Sequence, residues 1–535
     1  MTEAQRRHRF RWPAVGAAAG VVVLTLSGVG VAEAATAPPA LSFVAATPNV
    51  TAERYDAEGE FYLSLDLGLH AIAGKDAFEV RAKRTGYDKP ITATRTVVKN
   101  GKKTQVKLPA GTVKDFTGLK DFTTITIKDK AGKTVTSYQT SFCGNAYSSG
   151  RTRRDAPATN PYPTRCGGEN PFTLGAVWGV QAGWDAVVAD QPASVNGLKK
   201  VKAGKYTVTA TVNAKYQKMF AIPAKKATAK VNLTVVDVKF DEEKLAAAKA
   251  ADAATNPGVA AQVASEHDLH DGEGDASRQV SSFRPEFRAA ASRPATSAKA
   301  PAGPRPDLKS LPAWGISLTQ GEDEKTGKAN GKWYVNFGAT VWNAGSSPLV
   351  VDGFRRTGTE LMDAYQYYFD AKGKQVGSKA AGTMEWDARE GHMHWHFTDF
   401  AQYNLLKADK KLAVRSGKEA FCLANTDAVD YTIKSAKWRP DNTDLSTSCG
   451  ANTVVAVREV LDIGNGDTYS QDRPGQSFDI TGLKNGTYYI QVLANPSKRL
   501  SELSTTNNSA LRKIVIGGTA KKRTLSVPKV NGIAG

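Results

Sequence analysis

The sequence is poor in several things, and each shortage narrows the reading. Beyond residue 31 there is no long apolar run, so a protein that crosses a membrane through many helices is excluded. Only four cysteines occur in 535 residues, which allows two intrachain disulfides at most. Histidine is scarce, with seven in the whole chain, so any cluster of them stands out. There is no basic helix and no aromatic-basic recognition motif, although the formal charge is +19. Nucleic acid is therefore not the expected partner. Positive charge spread this evenly suits a solubilising surface or, outside a cell, anionic cell-wall polymers and acidic proteins.

What is present begins with residues 1–35, which are expected to lie outside the fold. Arg6, Arg7, Arg9 and Arg11 precede an apolar stretch over 14–31, and Ala32-Glu33-Ala34 stands before Ala35. That pattern reads as a secretory signal peptide with an A-x-A cleavage site. A single membrane anchor is the other reading of the same stretch. The expected location is secreted and extracellular, or associated with the cell envelope. There, four cysteines suggest two disulfides. Three pairings exist on paper. Cys143–Cys166 and Cys422–Cys449 each close a short local loop and are the expected pair, each contributing about 3 kcal/mol.

The length predicts two or three folding units. Residues 241–304 change character: a short helix is possible over 241–252, and beyond it Ala, Ser, Pro and Arg recur without periodicity. This reads as a flexible linker. His267 and His270 lie in it, without a scaffold that would make them ligands. On both sides of the linker, short β-branched and aromatic runs alternate with Gly, Asn and Asp turns, as in 206–212 and 488–492. The expected fold is all-β, with antiparallel β-sandwiches.

The two β regions also resemble each other. Tyr62 to Gly74 can be laid on Tyr334 to Gly345, and Arg84-Thr85-Gly86 on Arg356-Thr357-Gly358. Gly101-Lys102 then falls on Gly373-Lys374, Phe142-Cys143 on Phe421-Cys422, and Cys166-Gly167 on Cys449-Gly450. Gly204-x-Tyr206 with Asn213 falls on Gly486-x-Tyr488 with Asn495. Six coincidences in one order imply a tandem duplication. The expected domains are 36–240, the linker 241–304, a second domain over 305–518 and a basic tail over 519–535.

Three of the seven histidines lie in Gly391-His392-Met393-His394-Trp395-His396-Phe397. On a strand the three imidazoles share one face, and Met393, Trp395 and Phe397 share the other. In a straight strand His392 and His396 stand about 13 Å apart. One metal with bonds of about 2 Å can join all three only where the strand bends or bulges. Three imidazoles suit copper or zinc. Zinc would imply a hydrolase or lyase, copper a redox reaction with dioxygen, and the triplet alone does not choose.

The surrounding residues resemble the lysyl oxidase family. Trp386 precedes the histidines, and Phe400, Tyr403, Leu405 and Leu406 follow, as in the family's copper signature. Next come Lys418-Glu419-Ala420-Phe421-Cys422-Leu423 and Asp467-Thr468-Tyr469. After these stand Phe478-Asp479-Ile480-Thr481, Gly486-x-Tyr488, Asn495-Pro496, Glu502 and Asn507-Asn508. The ordered set covers about 200 residues.

The resemblance implies a copper site of His392, His394 and His396, and a lysine tyrosylquinone made from Lys418 and Tyr469. It implies oxidation of primary amines, lysine side chains of proteins among them, to aldehydes with release of hydrogen peroxide and ammonia. It further implies a calcium site of Asp307, Leu308 through its carbonyl, Glu502, Asn507 and Asn508, although Ser504 stands where the family usually has an aspartate. The base that takes the substrate proton stays open among Asp399, Asp467 and Asp472. The rival reading is a secreted metal-binding or adhesion β-sandwich without quinone chemistry.

The first domain carries none of this chemistry. Gly111-Thr112-Val113-Lys114-Asp115 stands where the histidines would fall, and Gln139 precedes Cys143 as Lys418 precedes Cys422. The tyrosine position falls near Gln181 to Asp185, without a phenol. This domain is expected to be a non-catalytic body, and the second domain to be active alone. His70 reads as a packed or surface residue.

Overall fold

The computed structural model describes residues 40–57, 60–99, 101–147, 149–168, 170–192, 195–238, 294, 300–322, 328–356, 358–388, 393–417, 420–438, 447–471 and 476–534. Residues 1–35, expected to be a signal segment, almost all of the expected linker with His267 and His270, and also His392, Lys418 and Asp472 lie outside these residues.

The described chain is nearly all β. Its one α-helix among the described residues is Ala214–Phe220, and no helix there is long and apolar enough to cross a membrane. The strands follow their residue alternation. In Thr228–Asp237, Ala229, Val231, Leu233 and Val235 are buried, while Thr228, Lys230 and Asn232 face water. A strand reads this way when one face of its sheet is solvated.

The N-terminal domain holds three sheets. One has the order Gly175–Val180, Phe78–Lys83, Thr92–Lys99, Lys102–Lys107. A second runs Glu60–Ser64, Asn49–Ala57, Thr228–Asp237, Gly204–Val212, Leu119–Lys128, Thr134–Phe142. The third joins Leu41–Ala45, Leu69–Ala73 and Asp185–Val187. One pairing departs from the antiparallel expectation: Asn49–Ala57 runs parallel to Thr228–Asp237.

The C-terminal domain also holds three sheets, two of which share a run of four strands with sheets of the first. Ala456–Leu461, Leu349–Arg355, Leu361–Phe369 and Gln375–Asp387 lie in the order of the first N-terminal sheet. The sheet continues there through His394–Thr398 and Ala420–Phe421, for which the N-terminal sheet has no counterpart among the described residues. Leu412–Arg415, Ala401–Lys407, Gly486–Ala494 and Ser509–Thr519 match the last four strands of the second sheet, read in reverse. Leu308–Ser310, Ala329–Asn343, Asn465–Gln471 and Asp427–Ala428 form the remaining sheet. Each domain has its own core, the first around Trp178, Phe78, Phe122 and Phe142, the second around Trp395, Phe337, Tyr403 and Phe421.

The two domains also share a joint. The Leu174 N–H donates to the Val429 carbonyl at 2.7 Å, and the Tyr431 N–H to the Gly175 carbonyl at 2.9 Å. Gly175 forms a parallel bridge with Asp430, and a Cβ there would crowd Asp430 and lie 2.6 Å from the Thr432 hydroxyl. Phe172 of the first domain packs with Leu311, Trp342 and Val429 of the second. Tyr162 stacks on Trp438 with ring centres 6.2 Å apart, and the Arg81 guanidinium sits 5.0 Å from the same indole.

The basic tail is built into this arrangement. Lys522–Ser526 pairs with Ser509–Thr519, and Val530 and Ile533 pack against the joint beside Tyr87.

Both disulfides are the local ones, Cys143–Cys166 and Cys422–Cys449.

Candidate active site

The described part of the histidine segment is a strand from His394 to Thr398, paired with Gln375–Asp387 on one side and Ala420–Phe421 on the other. Trp395 and Phe397 point into the core, fully buried, and hold the strand in place. Met393 does not join them: it is 47% exposed and its φ is +32°, so the backbone leaves the regular strand there. The expected apolar face is thus two residues long, because the chain turns away before His394.

His394 and His396 share the opposite face. Their Nε2 atoms are 2.8 Å apart. Two nitrogens at about 2.0 Å from one metal, at a right angle, stand about 2.8 Å apart. The pair therefore fits a single copper or zinc ion. His396 is buried, and its Nδ1 lies 3.4 Å from Asp387 Oδ2. A carboxylate behind a ligand imidazole fixes its tautomer and leaves Nε2 free for metal. Among the described residues no three His, Cys, Asp or Glu side chains gather in a metal-holding group, and His392 lies outside them.

Tyr469 stands on the strand Asn465–Gln471, paired with Ala339 of Ala329–Asn343. Its hydroxyl donates to the Cys422 carbonyl at 2.6 Å, and its ring meets Phe421 edge-on at 4.9 Å. Phe421 is in turn the cross-strand neighbour of Phe397. The segment that follows Lys418 therefore lies between the histidine strand and Tyr469. Burial pushes the Tyr469 phenol well above its usual range, helped by the carboxyls of Asp467 and Glu459 and by Tyr403.

Of the three aspartates named as bases, Asp399 sits in a left-handed turn, half-exposed, in an ion pair with Arg499. Asp472 lies outside the described residues. Asp467 is buried, two residues before Tyr469 and on the same strand face.

Sequence reasoning missed Glu459. It is fully buried, accepts the Leu423 N–H at 3.0 Å and the Phe397 N–H, and faces Asp467. Burial and the Asp467 charge raise its carboxyl well above the ordinary range. Asp387 was also missed. A lone acid on a strand gives no signal of either role.

The five residues named for calcium gather at the start of the domain. Glu502 accepts from the Leu308 N–H at 3.0 Å, from Asn495 Nδ2 at 2.6 Å and from Asn508 Nδ2 at 2.8 Å. Asn507 Nδ2 reaches both Asp307 oxygens, at 3.1 and 3.2 Å. The buried Oδ1 atoms of Asn507 and Asn508 have no hydrogen-bond donor. Two orphaned amide oxygens beside two carboxylates suit a hard cation. Leu308 presents its N–H to Glu502.

In the N-terminal domain, residues 111–118 form turns and bends where the other domain has its histidine strand. Asp185–Val187, which holds the place of the Tyr469 strand in its sheet, contains no tyrosine. His70 Nδ1 is paired with Asp185 at 2.8 Å.

Residues 364–524 match the family model of lysyl oxidase. Over these residues the C-terminal domain is similar to the lysyl oxidase family. The lysyl oxidase match takes in His394, His396, Asp387, Glu459 and Tyr469, and leaves out the whole N-terminal domain. Among curated relatives, the human protein-lysine 6-oxidase is 34% identical over 125 residues, which are 23% of this chain and 26% of that protein. The pig protein-lysine 6-oxidase is 34% identical over 125 residues, 44% of that protein. Lysyl oxidase homolog 3B of Danio rerio is 31% identical over 130 residues, 24% of this chain and 14% of that protein. The chain thus spans less than half the length of each of these relatives.

Proposed function

We propose that the C-terminal domain is a copper-dependent amine oxidase that carries a lysine tyrosylquinone, and that the protein acts outside the cell after removal of its signal segment. One primary amine, one dioxygen and one water become one aldehyde, one ammonia and one hydrogen peroxide. Lysine side chains of envelope or extracellular proteins are the proposed substrates.

The observation that carries this reading is the placement of Tyr469 against the Cys422 carbonyl, with Phe421 bridging to the strand of His394 and His396. In this reading His392, His394 and His396 hold copper, and Lys418 and Tyr469 form the quinone. Bound copper supplies one-electron chemistry with dioxygen, and the quinone supplies a carbonyl that a substrate amine can attack.

The protein's own groups do the rest. Asp387 orients the His396 ring. Phe421 and Tyr403 wall the phenol off from water. Asp467, buried beside Tyr469, is the proton acceptor, with Glu459 packed behind it. Asp307, Glu502, Asn507, Asn508 and Leu308 form a calcium site that ties the start of the domain to its end.

The N-terminal domain is a duplicated copy without catalytic groups. Runs of four strands in the same order in two sheets of each domain support the duplication, and the lack of a histidine strand among the described residues of the first supports the loss of function. Its positive surface suits anionic wall polymers.

A redox-cycling quinone stain of the purified, copper-loaded protein tests the proposal. Peptide mapping should recover the Lys418 and Tyr469 peptides joined. An unstained band from protein that still oxidises amines would overturn it, and a copper-loaded chain without stain or activity would leave the metal-binding module.

A further inference from the structure

We propose that Asn170 of the N-terminal domain is a positioning residue for the Tyr469 strand of the C-terminal domain. The two are linked by a ring of buried hydrogen bonds whose directions are fixed by chemistry. The Phe172 N–H donates to Asn170 Oδ1 at 2.9 Å, which sets the orientation of the amide and leaves Nδ2 as a donor. Thr340 Oγ1 accepts from Asn170 Nδ2 at 2.9 Å and from Trp314 Nε1 at 3.1 Å.

Neither nitrogen can accept, so the Thr340 proton goes elsewhere. Thr468 Oγ1 lies 2.6 Å away and takes it. Thr468 then donates its own proton to Asp427 Oδ2. The second Nδ2 hydrogen of Asn170 points to the same oxygen, at 3.3 Å. Asn170, Thr340, Thr468 and Asp427 close a ring in which no proton can reverse without leaving an acceptor empty.

All four side chains are buried, Asn170 at 2% exposure and Thr340 at 0%. Thr340 and Thr468 are direct cross-strand partners. The Thr468 N–H is held as well, by Thr426 Oγ1 at 2.8 Å. Side chains alternate along a strand, so Thr468 faces the N-terminal domain while Asp467 and Tyr469 face the other way, Tyr469 against Phe421. The strand that carries Tyr469 is thus fixed from behind by a residue of another domain. Arg165, also of the N-terminal domain, donates to the Thr426 carbonyl at 3.2 Å, and its charge acts on Asp427.

Without Asn170, Thr340 loses a donor and Asp427 is left with Thr468 alone. The domain that lacks catalytic groups would then serve the reaction by holding a phenol in register. The effect on quinone yield rests on the function proposed above; the effect on the strand does not.

The test uses full-length Asn170→Ala, Asn170→Asp and, as a packing control at the same joint, Phe172→Ala. Amide hydrogen exchange is read over residues 465–471, relative to wild type at the same pH, and quinone is read per bound copper. Asn170→Ala should raise exchange there on the order of tenfold and lower quinone per copper by a similar factor. Phe172→Ala, which removes packing but no bond of the ring, should raise exchange far less than Asn170→Ala and leave quinone per copper near wild type. Asn170→Asp sets two carboxyls against each other, so its exchange should return toward wild type as pH falls from about 8 to about 5.5, when one of them regains a proton to donate. If Asn170→Ala fails to fold, this recovery in Asn170→Asp decides the matter. Unchanged exchange in folded Asn170→Ala, or an equal rise in Phe172→Ala, would overturn the proposal. Wild-type protein that takes up copper but forms no quinone would overturn the proposed function, and the exchange comparison would still stand.

Discussion

The Tyr469 hydroxyl donates to the carbonyl of Cys422 across 2.6 Å. That carbonyl is anchored twice over. Cys422 is bonded to Cys449, and the Cys449 carbonyl accepts the Trp395 N–H at 3.0 Å. The disulfide therefore links the backbone beside Tyr469 to the backbone between His394 and His396. A phenol in this setting is held by its oxygen and by its ring, while its burial keeps it protonated.

Tyr469→Phe tests that placement directly. One neutral hydrogen bond is lost, which should cost about 1 kcal/mol of stability. Copper uptake should be unchanged, and the quinone stain and oxidase activity should be absent. Metal analysis, a melting curve and the stain on one preparation measure all three. Residual stain in this variant would place the cofactor elsewhere.

Asp387→Asn should weaken copper binding roughly 10–100-fold, because the His396 ring loses the carboxylate that orients it. His394→Ala should abolish stoichiometric copper. Competition with a chromophoric chelator gives both affinities. Equal affinity in wild type and Asp387→Asn would remove the orienting role.

The pH dependence of stability should carry a mark of Asp462. Burial pushes its carboxyl from an ordinary 3.8 up to about 6, against a smaller opposing pull from Lys437. The folded state therefore holds this proton more tightly than the unfolded one. The resulting stability is complete below about pH 3.8 and is lost as pH rises through about 6. Over that range wild type should lose about 3 kcal/mol more than Asp462→Asn, whose amide does not titrate. Urea midpoints of both proteins at pH 4 and pH 7 check the sign and the size.

Calcium should raise the melting temperature of the chain, and Glu502→Gln should abolish that rise. Burial raises the Glu502 carboxyl, with a smaller push from Asp307, and a cation between the two carboxylates would relieve both. Melting curves with calcium and with a chelator decide. An equal calcium response in Glu502→Gln would move the site away from these residues.

Much of this was readable from the chain alone, for local reasons. Alternation in Thr228–Asp237 and the β-branched run around Tyr206 announce strands without any partner in view. The period of two in the histidine segment puts His394 and His396 on one face, and they are there. Met393 broke the pattern because a left-handed residue is invisible in a residue-type pattern. Glu459 sits in Ala456–Leu461, where Arg458 and Glu459 look like the wet side of an edge strand. The Leu423 and Phe397 N–H groups and the Asp467 side chain close around Glu459, and only the fold supplies those. Asn170 lies in a Glu-Asn-Pro loop that reads as a turn, and its partners are 170 and 257 residues away. No local pattern encodes such a distance. The contacts it makes also change the expectation for the separated second domain, which would expose Trp342 and Val429 and lose the Asn170 amide.

The tail that packs against the joint ties architecture to the order of synthesis. Val530 and Ile533 belong to the same apolar cluster as Tyr87 and Phe172, and the Arg512 guanidinium reaches the Ile533 carbonyl. An N-terminal domain generally folds while the rest of the chain is still being made. Its docking face must then wait, incompletely covered, until Val530 and Ile533 have been added. Closure of the joint thus comes after every strand of both domains has been made, so a chain cut short after Ser526 would keep His394, His396 and Tyr469 and still leave Tyr87 and Phe172 without their last neighbours.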